Sequence, residues 1–166
     1  MPKHRTMTVS RSVIRRLQEQ FSGTGLEQGC LIGSSSRADR IDRVIPVPGH
    51  EDAYRFQPDM DAVNRQIRSW AKEGICFRGL IHSHPDGVPI PSDRDLKAME
   101  VWTRAAGLSF LLFGVAAVST GSWELGLWHS CCLPDGAVQI LPMVPIPAKR
   151  PWAGMKWRFP NEKTTA

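Results

Sequence analysis

The chain reads as an α+β fold, a mixed and mostly antiparallel β-sheet flanked by helices. Three observations carry that reading. Residues 10–22, residues 58–74 and a stretch from Ser92 repeat their apolar residues at the spacing of an amphipathic helix. Runs at 29–34, 76–81, 109–118 and 123–129 are apolar or alternating over strand-like lengths. The order, α-β-β-α-β-α-β-β-β, joins strands by hairpins or single helices, which builds a sheet with helices packed on it.

In chain order, residues 1–8 read as a loose terminus. Val13, Ile14, Leu17 and Phe21 then form one stripe, with Arg15, Arg16, Gln18 and Glu19 opposite it. Glycines at 23 and 25 end that helix, and a strand spans Gly29 to Ser34. Arg37 to Arg40 is a polar turn before a partner strand with Ile41, Val44, Ile45 and Val47, where Pro46 and Pro48 point to a short or edge position. Residues 49–57 are polar and turn-like. Pro58-Asp59 opens a second helix striped by Met60, Val63, Ile67 and Trp70 and closed by Gly74. Cys76 to Ile81 is a buried strand. A third helix carries Leu96, Met99 and Trp102 and stops at Gly107, and strands follow at 109–118, 123–129 and 138–144. Gly121 fits the turn between the first two of these.

A length of 166 residues with 42% hydrophobic residues fits one globular domain over 1–166, large enough to bury a core without staples. Within it, residues 145–166 form a Pro-rich, aromatic tail expected to pack over the domain. No apolar run has membrane-spanning length and the N-terminus lacks a signal-peptide pattern, so a cytoplasmic protein with no membrane partner is expected. The formal charge of +5 is scattered, with clusters at Lys3-His4-Arg5, Arg15-Arg16 and Lys149-Arg150. No helix-turn-helix, finger or basic stripe accompanies it, which argues against nucleic acid and for a solvated basic face, attraction of an acidic patch on a protein substrate being the weaker reading. Cys30, Cys76, Cys131 and Cys132 lie in or beside apolar runs without a Cys-x-x-Cys pair, the pattern of reduced buried thiols.

The chemistry concentrates between Leu80 and Asp95. His82 and His84 follow the apolar run at i, i+2, so an extended backbone turns both imidazoles to one face. Pro85 ends the strand. Ser92-x-x-Asp95 then has the form of a helix cap, which sets a carboxylate in the first helical turn. Two imidazoles and one carboxylate, with no fourth protein ligand, make the donor set of a catalytic zinc that keeps a position open for water.

His82-x-His84-Pro85, six residues, then Ser92-x-x-Asp95, resembles the JAMM (MPN+) metalloprotease motif at every fixed position, a chance match on the order of 10⁻⁵ to 10⁻⁴ in a chain this long. The family's upstream glutamate is matched by Glu27, ahead of the Gly29–Gly33 strand, with Glu19 and Glu51 in poorer context. Where eukaryotic members of that family often carry glycine three and seven residues after the glutamate, this chain has Cys30 and Ser34. The resemblance, which covers most of the chain to about His129, implies the cytidine-deaminase-like JAB/MPN fold. It implies Zn²⁺ held by His82, His84 and Asp95, with Glu27 as general base and acid and Ser92 holding the oxyanion. It also implies hydrolysis after the C-terminal glycine of a ubiquitin-like protein, by a stand-alone prokaryotic member working beside an E1-like enzyme. The stretch from Asp52 to Asp59 and the loop from Gly87 to Pro91 are the expected contacts for an extended substrate tail.

Other readings are weaker. Asp86-Gly87 resembles the Ser-Gly of RadC proteins, which points to a non-catalytic MPN or RadC-like binding module, but Ser83 stands where RadC has Asn. A cysteine hydrolase using Cys30 or Cys76 with His82 lacks a group to orient the histidine. A cupin site stays on strands, and a zinc deaminase needs Pro-Cys-x-x-Cys. Ser83 points away from the histidines and reads as structural.

Overall fold

An eight-stranded sheet curls around one helix and carries two others on its opposite face. This is a computed structural model, and it describes residues 6–22, 25–35, 39–119 and 122–148. The elements are β1 (Thr6–Val9), α1 (Arg11–Phe21), β2 (Gly29–Ser34), β3 (Arg40–Ile41), β4 (Arg43–Val47), β5 (Gly49–Asp52), β6 (Arg55–Pro58), α2 (Met60–Lys72), β7 (Cys76–His84), α3 (Asp93–Ala106), β8 (Leu111–Ser119), β9 (Ser122–Cys132) and β10 (Val138–Pro147). The sheet runs β3-β1-β10-β9-β8-β7-β2-β4, and β5-β6 is a separate hairpin. β7 and β8 are parallel and joined by α3, β1 is parallel to β10 and to β3, and the remaining pairs are antiparallel. β3 and β4 stand at opposite ends of that order, yet only Asp42 separates them. The sheet therefore bends until its two ends meet.

Inside the bend lies α1. Its buried residues, Val13, Ile14, Leu17 and Phe21, are the predicted stripe, and each contributes roughly 1.5–3 kcal/mol of apolar burial. They pack on Val9, Ile32, Ile41, Ile81, Leu112 and Leu127 from the sheet's inner face. α2 covers the other face through Val63 and Trp70 against Leu31, Val47 and Leu80, and α3 through Met99 against Leu111 and Phe113. Asp59 caps α2, accepting from Asp61 and Ala62 N–H, and Ser92 caps α3. Two stripe residues expected inside are largely outside: Met60 is 47% and Leu96 is 36% exposed. Each sits in the first turn of its helix, while residues further along, Val63 and Trp70 in α2 and Met99 in α3, are the ones buried.

The structure adds elements that local pattern does not betray. Residues 6–9 are strand β1, paired with β10 from Thr6↔Val144 to Val9↔Pro147, not a loose terminus. Residues 49–58 form a hairpin, not a turn, and β10 runs on through Pro145 to Pro147, where the tail was expected to begin. From Lys149 onward the tail lies outside the described residues, as do Lys3-His4-Arg5, residues 37 and 38 of the polar turn, and Gly121. The thiols are not uniformly buried. Cys30 is buried, but Cys76 and Cys132, which stand at strand ends, are exposed. Among the described residues no helix is long and apolar enough to cross a membrane.

Candidate metal centre

β7 carries an irregularity that decides which way its histidines face. Opposite β2, Gly33 pairs with Phe77 and Ile32 with Gly79, so Arg78 is an extra residue, a β-bulge. The bulge lets both Phe77 and Leu80 pack toward α2 and α3, and alternation from Leu80 onward turns His82 and His84 to that same side. Gly79 has φ +144°, and a Cβ there would lie 1.8 Å from the Leu112 carbonyl oxygen. Only glycine fits.

The four groups singled out by the motif come together. The Nε2 atoms of His82 and His84 lie 3.0 Å apart. Asp95 places Oδ1 3.3 Å from His82 Nε2 and Oδ2 3.4 Å from His84 Nε2. Glu27 Oε1 is 3.9 Å from His84 Nε2, and the donor atoms of Glu27, His82 and His84 all fall within 4.8 Å of one another. Both histidines and Glu27 are buried.

The surroundings fit a cation. His84 Nδ1 sits 2.9 Å from the Val88 carbonyl oxygen, which can only accept, so Nδ1 keeps a proton and the neutral ring presents its lone pair at Nε2. The carbonyl is itself held in a turn in which Gly87 N–H donates to the His84 carbonyl and Val88 N–H to Asp86 Oδ1. Imidazole nitrogens this close, bracketed by carboxylate oxygens, repel one another unless a proton or a metal ion lies between them. Glu27, His82 and His84, with Asp95 beside them, are side chains that could hold a metal ion.

The two carboxylates are tuned in opposite directions. Burial works against the Asp95 anion, but hydrogen bonds from His82, His84 and the Ser92 hydroxyl outweigh it and hold the carboxyl well below its usual range. For Glu27 burial wins and pushes the carboxyl above its usual value, against the pull of the two imidazoles and a hydrogen bond from Phe56 N–H. Burial also opposes the charged form of His84, yet Asp95, Glu27 and the Val88 carbonyl together raise it.

Ser92 takes the cap position: its hydroxyl donates to Asp95 Oδ2 at 2.7 Å and accepts from Asp95 N–H at 3.3 Å. Ser92 N–H also donates to Oδ2, at 2.7 Å, closing a capping box. Glu27 is placed by the hairpin, for its N–H donates to the Asp52 carbonyl at 2.7 Å. Phe56 packs over Gly29, where a Cβ would come within 2.0 Å of its ring. That contact accounts for glycine at 29. An apolar cleft lined by Phe56, Leu80, Met99, Trp102 and Phe113 opens beside His82 and Asp95, between hairpin and α3. The tip of the hairpin touches α3, Arg94 donating to the Tyr54 carbonyl at 3.4 Å. The backbone groups of Val88, Asp52 and Phe56 leave no mark in a sequence, since any residue type supplies them.

Residues 11–130 match the family model described as prokaryotic homologs of the JAB domain. A Thermus thermophilus protein named "Probable TtuB-protein conjugate cleaving protease" is 29% identical over 80 residues, covering 47% of this chain and 51% of that protein. The chain thus spans about half the length of that relative. The solution structure of a Desulfitobacterium hafniense protein superposes with a TM-score of 0.64 at 17% identity, covering 87% of this chain and 94% of that one, which is a likeness of fold. The family match runs from α1 into the end of β9 and takes in every member of the cluster, and on that ground the chain belongs to the prokaryotic JAB-domain family.

Proposed function

We propose that the protein is a zinc metallopeptidase that hydrolyses the isopeptide or peptide bond after the C-terminal glycine of a ubiquitin-like protein. One observation carries the reading: two imidazoles from β7, a carboxylate from α3 and a second carboxylate ahead of β2 converge within hydrogen-bonding or near-contact distance. Family membership and the relative named for cleaving a protein conjugate support it.

The positions of the two carboxylates and their opposed shifts support a division of roles. His82, His84 and Asp95 would hold Zn²⁺, since a ligand must be ionised and Asp95 is the carboxylate driven toward the anion. Zinc bound there supplies a water acidic enough to ionise near neutral pH. Glu27 stands farther off and is pushed toward the protonated form, so it suits a group that takes a proton and hands it to the leaving amine. Ser92 would donate to the substrate oxyanion only by turning its hydroxyl away from Asp95. The stretch from Asp52 to Asp59, whose Phe56 and Pro58 line the cleft, and the loop from Gly87 to Pro91, whose Val88 carbonyl meets His84, would receive an extended substrate tail. An E1-like enzyme of the same system, in the cytoplasm, is the partner that the family resemblance suggests.

A non-catalytic binding module is the competing reading, and a base with a raised pKa beside a complete ligand set argues against it. The test is cleavage of a ubiquitin-like fusion by the zinc-loaded protein, abolished by chelation and restored by zinc. Activity that survives chelation but dies with a thiol alkylator would overturn the reading. Salt-dependent DNA binding without hydrolysis would favour the binding module.

A further inference from the structure

Ser83 lies between the two histidines, and alternation sends its side chain to the sheet's other side, where it is 1% exposed. What it touches there is the backbone on either side of Glu27. The Ser83 hydroxyl accepts from Gln28 N–H at 2.9 Å and donates toward the Leu26 carbonyl at 3.4 Å. Ser83 N–H in turn donates to the Gln28 carbonyl at 2.9 Å. In a regular antiparallel ladder the Gln28 amide would go to the Ser83 carbonyl. Here the hydroxyl takes that place at the point where β2 has not yet begun, so a side chain extends the strand pairing by one residue.

We propose that Ser83 is a positioning residue for Glu27, a proposal that rests on the peptidase reading above. Its hydroxyl clamps residues 26 and 28 to the strand that carries His82 and His84. The distance from Glu27 to the ligand pair is thereby set by one side chain of that same strand. The hairpin holds the other side through Glu27 N–H and the Asp52 carbonyl. Without the clamp, the Leu26 carbonyl and the Gln28 N–H lose their hold on β7, and only the Ser83 N–H to Gln28 carbonyl bond and the hairpin remain. A base misplaced by about 1 Å loses on the order of 10²-fold in rate. The ligands themselves do not depend on it: His84 is oriented by Val88, and Asp95 by Ser92.

The test compares Ser83→Ala and Ser83→Thr with wild type. Threonine keeps the hydroxyl, and its methyl has room in the cavity lined by Phe21, Leu26, Pro85 and Val118 beside Ser83. Ser83→Ala is expected to lose about 10- to 100-fold in kcat with KM and zinc affinity within about twofold, and Ser83→Thr to recover most of it. In the metal-free protein, Gln28 amide hydrogen exchange should speed up at least about tenfold in Ser83→Ala, with Leu31 and Ile32 unchanged. Wild-type turnover in Ser83→Ala, or an unchanged Gln28 amide, overturns the proposal, as does a kcat loss matched by equal zinc loss. A wild-type protein that binds zinc and cleaves nothing overturns the peptidase reading instead, and the exchange measurement then decides the clamp by itself.

Discussion

Asp95 Oδ1 lies 3.3 Å from His82 Nε2, a contact that ties the first turn of α3 to the end of β7. The same carboxylate takes both Ser92 hydrogen bonds, so one side chain is at once half of a capping box and a candidate ligand. Asp95→Asn keeps an acceptor for the cap but loses the charge. Outer partners of metal ligands are worth about 10- to 100-fold in affinity, and a ligand is worth more. Zinc affinity is therefore expected to fall by more than about 100-fold, with the metal-free melting temperature lowered by only a few degrees. Isothermal titration and thermal melts check the two halves, and unchanged zinc affinity would remove Asp95 from the ligand set.

The pairing of Asp95 with His84 also gives the metal-free protein a defined pH response. Asp95 is depressed, so its contribution is present above its ordinary value of 3.8 and is lost as pH falls through the lower folded value. His84 is raised, so its contribution is present below its ordinary 6.5 and is lost as pH rises through the higher folded value. Metal-free protein should thus gain most from this pair between about pH 4 and 6.5. Zinc reverses the upper limb, because a ligand histidine must be neutral, and affinity should rise about tenfold per pH unit for each proton displaced. Melting curves across pH, with and without zinc, should diverge above neutrality. Parallel curves would count against a ligand role for His84.

Glu27→Gln separates catalysis from binding. An amide of the same shape removes the proton acceptor and should cost about 10²–10⁴ in kcat while zinc stays bound. Burial raises the Glu27 carboxyl, so at neutral pH the ionised form weakens the metal-free fold, and that penalty fades as pH falls through the raised value. The variant should accordingly melt higher than wild type at pH 7, each 1 kcal/mol being worth about 2–4 °C for a chain this size. A lower melting point together with zinc loss would show Glu27 acting as a ligand instead.

Thiol chemistry divides the cysteines. Burial in β2 pushes the Cys30 thiol up to about 12, where it is neither nucleophile nor easily alkylated. Cys76 and Cys132 are exposed. Brief treatment with iodoacetamide should label Cys76 and Cys132, spare Cys30, and leave peptidase activity intact. Loss of activity in step with labelling at either site would revive the cysteine-hydrolase reading.

How much of this was legible in the sequence follows from the range of each interaction. The stripe Val13, Ile14, Leu17 and Phe21 and the cap at Ser92 are local patterns, and the helices lie where those patterns place them. His82, His84 and Asp95 share one short motif, so their convergence was readable too. The β5–β6 hairpin was not, because its strands read Gly-His-Glu-Asp and Arg-Phe-Gln-Pro and alternate nothing apolar. Backbone pairing and the seat of Phe56 over Gly29 hold it in place. β1 was missed because four residues pair through partners more than a hundred positions away in β10. Glu27 depends on both unforeseen features, the hairpin and the Ser83 hydroxyl, and only family resemblance pointed to it.

Gly79 tests whether the bulge in β7 aims the ligands. Its φ of +144° is a conformation that side chains rarely adopt, and an added methyl would overlap the Leu112 carbonyl in the middle of the sheet. Relief requires opening the Gly79↔Leu112 pairing or straightening the bulge, and a straightened strand turns His82 and His84 toward the face that α1 occupies. Gly79→Ala should cost at least about 3 kcal/mol, or about 6–12 °C, and lower zinc affinity with it. Gly74 is the control. It too has positive φ, +71°, but nothing lies within 4 Å of its added Cβ, so Gly74→Ala should cost only about 1 kcal/mol and leave zinc binding alone. Equal effects of the two alanines would mean that the close approach at Leu112 does not set the strand, and that the histidines owe their direction to something else.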